Sequence, residues 1–170
     1  GAVRAGQILV RLDPADAQSA VDRAASDVAD AEAEGREAVR GLDLARDELI
    51  AAQDQAVLRE RAFVRQSDLA KRGVGTATAT ETAEHAVSAA RQAVLARRQA
   101  DVQAEARVDQ AATRLARAGI ALAEAQRRLE DTTITAPFDG TLSATNVVVG
   151  RLVTGNERLA ELIDPDDLEV

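Results

Sequence analysis

The sequence predicts a mainly α protein: a long antiparallel two-helix coiled-coil hairpin inserted in a small split β-domain. Three observations predict it. A seven-residue apolar repeat runs through the middle of the chain, a single Gly-Val-Gly break interrupts it near the centre, and the composition changes at both ends. The apolar fraction is 46%, yet aromatics are 1% and Trp, Tyr, Met and Cys are absent, and alanine makes up about half of the count. Alanine buries little area, and a globule of ordinary thickness needs larger side chains at its centre. Abundant Ala, Arg, Glu and Leu in a regular period describe long helices lying side by side instead.

The first segment, 1–13, reads "GAVRAGQILVRLD", with turn glycines and a short apolar run at Ile8-Leu9-Val10. Asp13-Pro14-Ala15-Asp16 then starts a helix, placing an N-cap acceptor, a first-turn proline and a further acid where unpaired amides need them. This helix is expected over 14–72. Its seam steps by sevens through Val21, Val28, Gly35, Leu42, Leu49, Ala56 and Phe63, with alanines from Ala17 to Ala52 at the companion positions. A second helix is expected over 76–130, with Val87, Val94, Asp101, Val108, Leu115, Leu122 and Leu129 as its series. A sustained period of about 3.5 residues implies a left-handed supercoil of two partners.

The two seams mirror one another. Val21 with Leu129, Val28 with Leu122, Leu42 with Val108 and Phe63 with Val87 all have numbers adding to 150. A fold at Gly75 therefore brings each large residue to its counterpart and sets Gly35 opposite Leu115. At about 1.5 Å per residue the hairpin should run about 80–90 Å. Each large seam residue would contribute about 1.5–3 kcal/mol if fully buried. Only Arg97 and Asp101 spoil the second seam; a local loosening, a register device and a contact to a neighbouring hairpin all fit them. Acids dominate the outer face of the first helix, while Arg is richer on the second.

After the second helix, 131–170 changes character: Thr, Val and Ile rise, and Gly and Pro punctuate. Strands fit at 132–136, 140–147, 151–153, 158–163 and 168–170, and Phe138 is expected to fill their core. A hairpin whose two ends lie together joins the two β segments into one domain.

Composition also bounds the chemistry. Net charge is −8 with almost no aromatics, which suits neither phosphate backbones nor stacked bases, so no nucleic-acid partner is expected. Without Cys there are no disulfides or thiolate metal sites. No run of eighteen apolar residues is present to span a membrane. The lone His85 sits beside Glu81 and Glu84 on a solvated helix face, and Asp131, Asp139, Asp164, Asp166 and Asp167 fall near turns, where Asp bends or caps backbone. No Ser/His/Asp set, phosphate-cradling loop or Cys/His cluster occurs, so neither an enzyme nor a cofactor is expected.

The terminal motifs carry a resemblance. "VRAGQILVRLD" at 3–13 and "ITAPFDGTL…VVVGRLV…LAELID…LEV" at 134–170 resemble the two half-motifs of a split lipoyl domain. With the hairpin between them, they are similar to periplasmic adaptor proteins, the membrane fusion proteins of tripartite efflux pumps and type I secretion systems. The resemblance implies a lipoyl-like β-domain whose first half is incomplete here, tethering to the inner membrane in the full-length protein, and a periplasmic location. It also implies an inner-membrane transporter as a partner through flanking segments, among them a membrane anchor and a β-barrel domain. A chain starting in mid-domain at "GAVRAGQ" with no signal peptide is expected to be a piece of such a protein. No lipoyl attachment is expected, since Lys71 is the sole lysine and lies near the hairpin tip.

The tip, near 73–76, reads as turn chemistry and as a docking motif. Gly73 and Gly75 are expected to supply positive φ and the C-cap of the first helix. Thr76 is expected to cap the second, with Thr78 and Thr80 as the other candidates. Arg65, Leu69 and Thr76 together resemble the Arg-Leu-Ser tip motif by which adaptors dock onto an outer-membrane channel, Thr standing for Ser. Leu69 lies one residue before the seam position Ala70, which leaves it free to enter a groove of another coiled coil. Arg65 offers a forked donor set for carbonyls or carboxylates. The resemblance implies neighbouring adaptor protomers, six in the usual assembly, with transport by positioning and no reaction catalysed. The rival reading is a structural coiled-coil spacer that only oligomerises. A lipoyl carrier or an RNA-gripping arm fits the isolated lysine and the acidic chain less well.

Overall fold

The computed structural model describes residues 1–145, 148–154, 157 and 159–163. In chain order the elements are β1 (Ala2–Val3), β2 (Ile8–Arg11), α1 (Ala15–Lys71), α2 (Ala77–Glu130), β3 (Thr133–Thr135), β4 (Gly140–Thr145) and β5 (Ala160–Ile163). The helices of 57 and 54 residues match the expected ones to within a residue at each end. The chain divides into two units, one formed by Val28–Ala118 and the other by Gly1–Asp27 with Gly119–Val170.

Within the unit Val28–Ala118 the helices pair antiparallel along the mirrored seams. Leu42, Ala45 and Ala104 form a buried cluster with Val108 against it, as the mirror requires of Leu42 and Val108. Ion pairs across the helices keep the same register. Arg46 reaches Glu105 at 3.0 Å, Arg91 reaches Glu60 at 2.9 Å, Arg97 reaches Glu48 at 2.7 Å, and Arg114 pairs with Glu34. Three of these four set an α1 glutamate against an α2 arginine, the charge bias legible in the sequence. All are solvent-exposed, so each is worth about 0.2–1 kcal/mol and they guide the pairing rather than drive it.

Burial along the seam falls mainly on the alanines. Ala31, Ala45, Ala90, Ala104 and Ala111 are buried, whereas Val28, Leu49, Phe63, Val94, Val108 and Leu115 are half-buried. Of the large seam residues in this unit, Leu42 and Val87 are the ones that reach full burial. The reason is geometric: two helices cover a seam side chain from one direction, and solvent reaches its flank. The alanines let the backbones approach, and the larger side chains splay over the edges of the contact.

Arg97 and Asp101 both answer α1 of their own hairpin. Arg97 pairs with Glu48, and Asp101 faces Arg46, its Oδ1 lying 3.7 Å from Nε. That separation exceeds hydrogen-bond range, and Asp101 Oδ1 is a buried oxygen with no hydrogen-bond partner.

In the second unit the hairpin base is capped as its sequence predicts. Asp13 Oδ1 accepts from the Ala15 amide at 3.0 Å, and the Gln18 amide donates to Pro14 O at 2.7 Å. Ala24 and Ala125 are buried there. The chain's two ends interleave in two small antiparallel sheets. β2 pairs with β3, setting Val10 opposite Ile134 and Arg11 opposite Thr133. The other sheet has the order β1-β4-β5, with Ala2 opposite Thr141 and Leu142 opposite Leu162. Backbone bonds from Leu12 N to Thr132 O (2.8 Å) and Gly6 N to Ala136 O (2.8 Å) extend the first pairing. Asp139 lies in the bend before β4, and its Oδ1 accepts from the Ala5 amide at 2.6 Å, a bond to the other end of the chain and not to its own turn.

Two expectations fail in this unit. Phe138 does not fill a core: it is 38% exposed in the bend before β4, while Val10 and Ala136 are buried, the latter 2% exposed. Residues 151–153 form no strand; Leu152 is 86% exposed and finds no pairing partner among the described residues. The turn there has Gly150 at φ 84°, the Arg151 amide donating to Val148 O at 3.2 Å, and an ion pair from Arg151 to Glu157. The strand expected at 168–170 lies outside the described residues, as do 146–147, Arg158, Asp164, Asp166 and Asp167.

Candidate functional site

The hairpin tip is built by one helix ending and another starting within five residues. α1 ends in a Schellman motif. Gly73 adopts φ 78°, its amide donates to Ala70 O at 3.0 Å, and the Val74 amide donates to Leu69 O at 3.1 Å. A side chain at that φ costs about 1–2 kcal/mol, which glycine avoids. The expected positive φ at Gly75 is not found. Gly75 is required for a different reason, because a Cβ there would lie 2.9 Å from Ala70 N and 3.2 Å from Leu69 C. The Gly75 amide also donates to Leu69 O, at 3.2 Å, so two amides converge on one carbonyl.

α2 starts on Thr76 as expected. Its Oγ1 accepts from the Ala79 amide at 3.2 Å, and the Thr80 amide donates to Thr76 O at 3.3 Å. The cap uses an oxygen lone pair, and the Thr76 hydroxyl proton has no acceptor among the described residues. Thr78 and Thr80 instead lie inside α2, where the Thr80 and Thr82 hydroxyls donate to carbonyls four residues back.

The three docking candidates are all at the surface. Arg65 and Leu69 stand one helical turn apart on the last two turns of α1, with Arg65 exposed and Leu69 41% exposed. Thr76 is exposed on the other side of the turn, and the bonds converging on Leu69 O hold the Leu69 turn and Gly75 together. Lys71 is held by Asp68 at 3.6 Å. One tip residue escaped the sequence reading: Val74, 77% exposed between the two glycines. The available signal was its place at the end of both seams, where neither helix can cover a side chain. His85, Glu81 and Glu84 are exposed on α2.

Comparison with known proteins gives two solved structures to which the chain is similar. One is the periplasmic adaptor protein EmrA, at 12% identity and TM-score 0.46, covering 98% of this chain and 66% of that one. The other is the membrane fusion protein Spr0693 from Streptococcus pneumoniae R6, at 21% identity and TM-score 0.43, covering 96% and 49% respectively. Both are of the family the terminal motifs resemble. The chain spans 66% and 49% of their lengths. No family model and no curated protein matches it.

Proposed function

We propose that this chain is the hairpin-bearing part of a periplasmic adaptor subunit, linking an inner-membrane transporter to an outer-membrane channel and docking through Arg65, Leu69 and Thr76. The observation that carries the reading is Leu69. It is a large apolar side chain left open to solvent on the last turn of a coiled coil, beside Arg65, on a turn whose Gly73, Val74 and Gly75 amides are all bonded. A rigid tip of this kind meets a partner's groove with little ordering cost. The β unit corresponds to the lipoyl-like domain, without lipoyl attachment, and the subunit works in the periplasm by position, without a cofactor and without catalysing a reaction.

Association with neighbouring adaptor protomers, six in a full assembly, is supported by a second apolar stripe. Ile50, Val57 and Val64 on α1 and Leu95 and Val102 on α2 are exposed. Residues of like heptad phase pair across this hairpin, as Arg46 with Glu105 and Glu60 with Arg91 do, each four places after a seam position. The five aliphatics each follow a seam position by one, which puts them on the same side as those pairs. The stripe also supports the second reading, a spacer that oligomerises without docking.

Leu69→Asp separates the two. Helicity by circular dichroism and oligomeric state by light scattering should be unchanged, while export of the transporter's substrate in cells should be lost. Export at the unaltered level would leave the spacer standing.

A further inference from the structure

We infer that the hairpin's two long sides are a matched pair, and that in the half nearer the tip one side of each copy packs on the opposite side of the next. The inference rests on the protomer association proposed above, not on tip docking, and names both halves of that contact. One half is the aliphatic stripe of Ile50, Val57, Val64, Leu95 and Val102. The other half lies across the hairpin, on the side where Glu34 and Arg114, each six places after a seam position, pair. Successive helical residues turn by about 100°, so positions two after the seam stand beside those six after it. Leu44 and Leu58 follow seam positions by two and are 61% and 57% exposed. Around them Ala51, Ala89, Ala93 and Ala96, two or six places after the seam, are exposed as well.

Both sides are apolar over the same layers, 44–64 on α1 with 86–106 on α2. Charge there is mostly cancelled within the hairpin. On the stripe side Arg46 is held by Glu105 and Arg91 by Glu60, leaving Arg98; on the leucine side Arg97 is held by Glu48, leaving Arg59. Those two free arginines stand about 10 Å apart in height, so packed sides would not set them against each other. Asp47, Asp54 and Arg61, five places after the seam, point away from both sides. Farther from the tip, over 28–43 and 107–118, the pattern changes. The leucine side there carries Asp30, Glu34, Glu37, Arg107, Arg114 and Arg117. The stripe side carries Glu32, Arg36, Asp43 and Asp109, with Val39 as the exposed aliphatic among them.

The partner that fits is a second copy pointing the same way, because every copy carries both surfaces at matching layers. A two-fold dimer would cover one side twice and leave the other bare, whereas unlike sides joined head to tail cover both. The packing repeats the recipe of the hairpin's own seam, large aliphatics laid over alanines. The layers span about 30 Å and two helices abreast about 20 Å, so one contact covers about 600 Å² per copy. That is below the usual figure of about 800 Å² per partner, and a closed ring gives each copy two such contacts.

The test places cysteines in the full-length protein, any cysteine outside this chain being changed to Ser, since this chain has none. Val57 and Ala93 share one layer on opposite sides, so they cannot join within one hairpin. On mild oxidation in membranes, Val57→Cys alone and Ala93→Cys alone should stay monomeric, and the two variants produced together should give disulfide dimers. The double variant should give a ladder extending past dimers, which a further Leu58→Asp should abolish with helicity unchanged. Arg36→Cys with Arg114→Cys, the equivalent pair farther from the tip, should stay monomeric. Dimers from Val57→Cys alone would overturn the joining of unlike sides and leave protomer association intact. A ladder that survives Leu58→Asp, or one from the 36 and 114 pair, would overturn the placement of the contact. No link from any variant would overturn the contact itself, and a monomeric unaltered protein would overturn the association as well.

Discussion

Thr76 combines two properties that substitution can separate. Its oxygen caps α2, so Thr76→Ala should cost about 1 kcal/mol of stability, measured by urea unfolding, while Thr76→Ser should cost much less. The proposed docking uses the free hydroxyl proton, which Ser keeps; export should therefore survive in the Ser variant. Glycines give a second contrast. Gly75→Ala forces a Cβ against Ala70 backbone and should lower the unfolding midpoint, whereas a Cβ at Gly35 meets nothing within 4 Å. Gly35→Ala should stabilise by about 0.5–1 kcal/mol, because the helix interior then loses its most flexible residue. Cap chemistry is local, which is why Asp13 and Thr76 were readable from neighbours alone. Gly73 and Gly75 look equivalent in sequence, and what distinguishes them is which one follows the last helical carbonyls. Val74 was overlooked because exposure at a turn is set by where both helices stop.

At the scale of the elements, the α1–α2 pairing rests on an alanine-lined seam with one buried flaw, Asp101. Its Oδ1 has no hydrogen-bond partner, and Arg46 remains held by Glu105 at 3.0 Å when Asp101 is removed from consideration. Asp101→Leu should therefore raise stability by about 1–3 kcal/mol, since it deletes a buried oxygen that no hydrogen bond satisfies, gives up only a 3.7 Å ion pair to Arg46, and completes the apolar series. Urea unfolding of the variant checks this, and a loss would mean that Arg46 depends on Asp101. The hairpin was legible because a heptad pattern repeated over more than forty residues in each helix leaves one phase for each, and two such phases define a mirror. The β elements were less so. Strands of two to six residues are stabilised by whichever segment pairs with them, and at 151–153 none does among the described residues. Phe138 illustrates the same limit, since its apolarity is visible in sequence and its place in the exposed bend before β4 is not.

For the molecule as a whole, stability should be nearly indifferent to salt. About 1 M salt shortens the screening length to about 3 Å and weakens the exposed cross-helix pairs, yet it also relieves the repulsion of a net charge of −8. Melts followed at 222 nm in low and high salt should differ by only a few degrees; a collapse in high salt would move the weight from the seam to the ion pairs. The mirrored register has one more consequence, for how such a chain can change size. Removing seven residues from α1 alone shifts every layer beyond the cut by a heptad, setting Arg97 and Asp101 against strangers. Removing seven from each arm at mirrored places restores every layer. Growth or shrinkage of this chain therefore proceeds in doubled steps of fourteen, and a protein family built on it should come in discrete sizes rather than a continuum.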